Sequence, residues 1–149
     1  MKAAPTLDGR IRIDLESDLD LEVLRSIVDD ARASGRSIVE ELVEPMDESL
    51  VSDWKDYVLP DLMCEFSGQL SWVNRVVREA TPGQPIFIRE DEAETWYGAL
   101  NQARLALEEC FSFGDKELEE MEPSQASARI RSHFYQILQS LLLDFIMNR

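Results

Sequence analysis

The stretch DEAETWYGALNQARLAL, residues 91 to 107, limits the possible folds more than any other part of the chain. At 100° per residue, Trp96, Leu100, Ala103, Leu107 and Cys110 gather on one side of a helix, and Ala99 and Ala106 would let a neighbour come close. Leu105 projects about opposite Trp96, with Tyr97 and Asn101 on that second side. A helix that is apolar on two sides must be covered from two directions, which places it at the centre of a bundle. Polar groups carried into that setting need partners, since leaving one buried and unpaired costs about 1–3 kcal/mol. Asn101 and Arg104 are such groups. In one reading Arg104 lies along an apolar edge with its head paired to Glu108 or water, and Asn101 binds a loop carbonyl. In the other, Asn101 and Arg104, with Trp96 and Tyr97 beside them, fix an anionic ligand or a partner's carboxylate through the guanidinium fork.

The rest of the chain supplies the covering layers. IRIDL at 11–15 alternates apolar and polar residues as a short strand does, and IFI at 86–88 has the composition and length to pair with it. A helix opens at Ser17 or Asp18, places Leu21, Leu24, Ile27, Val28 and Ala31 at spacings of three and four, and stops at Gly35. Ser37 and Glu40 form a capping box for a short helix that ends before Pro45. A further helix spans 47–58, with Val51, Trp54 and Val58 on one face. Pro60 starts the next, about 61–80, which buries Leu62, Phe66, Leu70, Val73 and Val77. Asp91 and Glu94 cap the helix of the opening paragraph. The last helix, opening at Ser124, presents Ile130, Phe134, Ile137, Leu138, Leu141 and Phe145 as a wide apolar face. The expected fold is mainly α: one domain over 1–149, five to six helices, and at most a two-stranded ribbon of 11–15 with 86–88.

Charge excludes several functions. The formal net charge is −15 and the isoelectric point about 4.3, so nucleic acid and anionic lipid are repelled, while basic partners or simple solubility are served. No segment nears the roughly 20 apolar residues that span a bilayer, and MKAAPTLDGRIRIDL has no long apolar run of the signal-peptide kind. Cys64 and Cys110 lie far apart in helical segments without disulfide or metal spacing, which suits buried thiols in the cytoplasm. His133 is the one histidine, at the edge of the last helix's apolar face, and neither Glu-x-x-His nor Cys-x-x-Cys occurs. No metal, cofactor or catalytic residue is therefore expected, and Trp54, Trp72 and Trp96 fall within apolar stripes as core residues do.

EDEAETWYGALNQARLAL also resembles the signature of a bacterial domain-of-unknown-function family of small, mostly helical, mainly actinobacterial proteins. In that pattern, Trp-Leu-x-Ala-Leu-Asn-x-x-Arg-Leu-x-Leu, the matching residues are Trp96, Ala99, Leu100, Asn101, Arg104, Leu105 and Leu107, and Tyr97 stands for the usual leucine. The acidic stretch at 114–122 departs from the family. The resemblance implies a strand leading into an acidic helix start, and a gene often placed beside the adaptor of the Clp protease. It implies no established activity.

The expected function is a non-catalytic cytoplasmic module that binds another protein, with a homodimer compatible with the broad apolar faces of helix 61–80 and the last helix. An alternative is an acidic decoy for a basic DNA-binding protein, drawing on the acid-rich segments 14–22, 40–48 and 115–122. Another is a small-molecule sensor or enzyme that uses Asn101 and Arg104.

Overall fold

Among the residues that the structure describes, 1–33 and 46–148 of a computed structural model, five α-helices and a small sheet surround one buried cluster. The short helix expected at 37–44 and most of the acidic segment 40–48 lie outside the described residues. The strands are β1 (Lys2–Pro5), β2 (Ile11–Asp14) and β3 (Ile86–Ile88). The helices are α1 (Asp18–Ala31), α2 (Glu48–Tyr57), α3 (Leu59–Glu79), α4 (Ala93–Phe111) and α5 (Pro123–Met147).

The expected ribbon forms with Ile11 opposite Ile88 and Ile13 opposite Ile86, and all four side chains are buried. A third strand, β1, adds to the free edge of β2 in antiparallel register, Lys2 opposite Asp14 and Pro5 opposite Ile11. Its side chains are all exposed, so KAAP carries no hydrophobic pattern that could have announced it. Pro5 is tolerated because the strand lies at the edge. On the outer face, the guanidinium of Arg10 sits 4.1 Å from the centroid of the Phe87 ring.

Helix α4 is the central element, packed by α1, α3 and α5. Trp96, Ala99, Leu100, Ala103 and Leu107 are fully buried, and alanines at 93, 99, 103 and 106 permit the close approach. Its start differs from the expected Asp91–Glu94 cap. A 3-10 turn at Glu90–Glu92 precedes it, and the Glu92 carboxylate accepts both the Arg89 amide (3.2 Å) and Arg89 Nε (2.9 Å). The helix ends at Ser112, which adopts the left-handed conformation at φ 46°. Helix α1 is held at its start by Asp20, whose carboxylate accepts the amides of Glu16 and Ser17 at 2.8 and 3.2 Å. No helix among the described residues is long and apolar enough to cross a membrane.

Three expectations about burial are corrected. Cys64 and Cys110 are exposed rather than buried: Cys64 is on the half of α3 that precedes the first buried residue, Leu70, and Cys110 lies beyond Leu107, where the buried stripe of α4 ends. Leu62 and Phe66 are half-buried for the same reason as Cys64. On α5 the face turned inward is Ala128, Ser132, Tyr135, Leu138, Gln139 and Leu142, while Ile130 and Ile137 remain exposed.

Candidate functional site

Polar cross-links explain the orientation of α5. Asp30, buried in the last turn of α1, accepts two hydrogen bonds from the Arg131 guanidinium, at 2.9 and 3.1 Å. The Tyr135 hydroxyl lies 2.8 Å from the same carboxylate and 3.1 Å from the carbonyl of Val23, and its single proton goes to the nearer, charged acceptor. Burial first, and then the Asp30 charge, push the Tyr135 phenol far above its ordinary value. The hydrogen bond from Arg131 to Asp30 raises the guanidinium further still. These groups lie about a hundred residues apart in sequence and fasten α1 to α5.

The second cross-link involves the residues singled out in the sequence. Arg104 Nη1 donates to Gln139 Oε1 at 2.5 Å, and Gln139 Nε2 donates to the Tyr97 carbonyl at 3.4 Å. Arg104 Nε is buried with no acceptor among the described residues. Tyr97, Asn101 and Arg104 thus share the half-buried side of α4 that faces α5, and Leu105 beyond them is 38% exposed. Trp96 is separate, fully buried in the core. The structure therefore brings three of the four candidate residues together and sets the fourth behind them. The clefts described next are lined by other residues.

One cleft, about 590 Å³, runs along one face of α3 to the start of α4 and is lined by Asp61, Cys64, Glu65, Gly68, Gln69, Trp72, Glu94 and Thr95. The face repeats at helical spacing, 61, 65, 68 and 72, so one side of a single helix forms most of its wall. Gly68 leaves the floor open, with no atom near the place a Cβ would occupy. Three carboxylates line it and the guanidinium of Arg75 lies over the Trp72 ring at 4.3 Å. Gln102 of α4 fastens the α3 wall, its amide donating to the Phe66 carbonyl (3.1 Å) and Gln69 Oε1 (3.0 Å).

This cleft adjoins a projecting arm. Helix α2 buries no residue, and its main neighbour is the first half of α3, which also buries none. Leu50, Tyr57, Val58 and Met63 are exposed along this arm, Tyr57 at 76%. Carboxylates at 48, 53, 56, 61 and 65 surround them against Lys55 alone. The sequence reading missed this surface, because α2 and α3 have ordinary amphipathic patterns and only the fold shows that nothing in the described chain covers them. Among the described residues no group of three or more His, Cys, Asp or Glu side chains is placed to hold a metal ion.

No curated protein and no solved structure matches the chain. The model of the family described as Domain of unknown function (DUF2017) does match, over residues 4–146, nearly the whole chain including the α2–α3 arm and α5. The protein is thus a member of the DUF2017 family.

Proposed function

We propose that the protein is a non-catalytic interaction module that seats a basic, partly apolar segment of another protein on the α2–α3 arm and in the cleft beside it. The observation that carries this reading is that, among the described residues, none in α2 or the first half of α3 is buried. Isolated apolar residues on a surface need no explanation, but Leu50, Tyr57, Val58 and Met63 are exposed together on one arm among carboxylates, as at interaction sites. The rim is acidic, which selects a partner carrying Lys or Arg and speeds its approach. The exposed thiols at Cys64 and Cys110 suit a reducing compartment, and the cytoplasm is part of the same reading. A role beside a protease adaptor is the narrower form that the family resemblance suggests.

The test is affinity capture with the full chain from a lysate of the organism that encodes it. Wild type is compared with Tyr57→Asp/Met63→Asp, with Asp61→Asn/Glu65→Gln, and with Asn101→Ala/Arg104→Ala, all checked for retained fold. A protein held by wild type, released by added salt and lost from the first two variants supports the reading. Removing the two cleft carboxylates is expected to weaken retention by about tenfold, equivalent to about 1.4 kcal/mol. Loss only from the Asn101/Arg104 variant would place recognition on α4 instead. Capture of nothing would count against an interaction module.

A further inference from the structure

Helix α5 leaves much of an apolar stripe open to solvent. Ile130, Phe134, Ile137 and Leu141 follow one another at spacings of four, three and four, the repeat of a coiled-coil seam. Ile130 and Ile137 are 58% and 55% exposed, Phe134 and Leu141 are half-buried at the edge of the core, and the same helix turns Ser132 and Gln139 inward. The internal cross-links through Tyr135 and Gln139 fix that orientation, so the exposed seam is a consequence of how α5 is fastened.

The charge around the seam is as unusual as its position. The chain carries 30 acidic residues, yet the 25 residues of α5 include one, Asp144. Arg129 and His133 flank the first half of the seam, and Asp144 lies near its end, beside a cleft shared with Pro5, Gly9, Glu90 and Phe145. A basic partner would be drawn to the acidic surfaces, so it has no use for the least acidic one. An equally acidic partner can approach only where carboxylates are few. Another copy of this chain is such a partner.

We infer that the α5 seam pairs with the same seam of a second copy in antiparallel fashion, about a two-fold axis near Ile137. That arrangement brings Asp144 of each copy to the Arg129–His133 end of the other, whereas parallel pairing would set like ends together. A two-fold contact of this kind is self-complementary and closes at two subunits. Helix α5 is roughly 37 Å long at 1.5 Å per residue. One helix face of that length buries area at the low end of specific interfaces, under about 1,200 Å² in total, the range of weak and transient contacts. The seam is separate from the α2–α3 arm, so self-association and partner binding stand or fall independently.

The experiment is sedimentation velocity on the full chain from about 1 to about 200 µM, a range that brackets micromolar affinity. It is repeated on Ile137→Glu, with circular dichroism and thermal unfolding as folding controls. Wild type should shift from monomer to dimer, and the variant should need at least tenfold more protein to do so. Orientation is read from disulfide cross-linking of Ile137→Cys and Ile130→Cys, each in a Cys64→Ser/Cys110→Ser background. Near the axis the two copies of position 137 approach closely enough to bridge. The two copies of position 130 are held roughly 20 Å apart. Cross-linking at 137 alone is the expected result, and cross-linking at both positions would overturn the antiparallel arrangement. A wild-type monomer throughout the range, or an undiminished dimer of Ile137→Glu, would overturn the pairing. So would a monomer that leaves cell extract with a foreign protein bound through Ile137.

Discussion

At the scale of single residues, the fold depends on a few polar contacts with little tolerance for change. Asp30→Ala removes the carboxylate shared by Arg131 and Tyr135, leaving them Ser127 and the Val23 carbonyl, and is expected to cost about 2–3 kcal/mol in urea unfolding, toward the low end for a broken buried pair because Arg131 is partly solvated. Tyr135 gives this site a pH signature. Its phenol is raised in the folded state, so its contribution is complete below the ordinary tyrosine value near 10 and is lost as pH rises above it. Tyr135→Phe should therefore be less stable than wild type by about 1 kcal/mol at pH 8, from the lost hydrogen bond. By about pH 11 that deficit should shrink or reverse, because the variant has no phenol to ionise. Urea midpoints of both proteins at the two pH values provide the check, and an unchanged gap would contradict the assignment.

Gly98 makes a different kind of prediction. A Cβ there would run into the amide of Gln69, the end of a flexible side chain that also receives a hydrogen bond from Gln102. Gly98→Ala should lose that contact in the wild-type background. In a Gln69→Ala background the same substitution should stabilise by about 0.5–1 kcal/mol, the ordinary preference of a helix for alanine over glycine. Equal effects in both backgrounds would show that Gln69 does not enforce the glycine. Ser112, left-handed at the end of α4, should gain up to about 1 kcal/mol on replacement by glycine, since that conformation carries a penalty for any residue with a Cβ.

At the scale of elements, the helices differ sharply in what holds them. α4 is packed on three sides and its amides should exchange with solvent only on global unfolding, whereas α2, with no buried residue, should exchange through local opening at much lower cost. Hydrogen exchange read by mass spectrometry separates the two, and comparable protection would mean that α2 is covered by something in its own chain. The same contrast explains what the sequence could reveal. The centrality of 93–111 was legible because Trp96, Leu100, Ala103 and Leu107 share one face and small residues flank them. The pairing of Ile11 and Ile13 with 86–88 was legible from alternation. The orientation of α5 was not, because two apolar stripes lie side by side along it. The stripe that turns inward is the more polar one, chosen by Asp30 and Arg104 from α1 and α4. Contacts across such sequence distances leave no periodic trace. Likewise the arm is visible only as burial that fails to occur, and β1 only as backbone pairing.

At the scale of the whole molecule, charge and apolar surface are divided rather than mixed. Acidic residues line the arm and the cleft beside it and are dense at 14–22 and 115–122, whereas α5 carries one. A chain of net charge −15 keeps copies of itself apart except where its surface is neutral, and draws basic partners where it is most acidic. Two apolar surfaces with opposite electrostatic surroundings can thus serve two different occupants at once. A dimer built on α5 leaves both arms available, and two arms on one dimer would raise the avidity for a partner that is itself repeated.

The most direct test of the account replaces Tyr57 with p-benzoyl-phenylalanine, close to tyrosine in size, and irradiates living cells that express the full chain. Leu7, fully exposed and remote in sequence from the arm, carries the same photoreactive group as the control. Position 57 should cross-link one or a few proteins through Lys- or Arg-rich segments, with position 7 giving none of them. Identical products from both positions, or none from Tyr57, would contradict the assignment of the arm as the surface through which this protein acts.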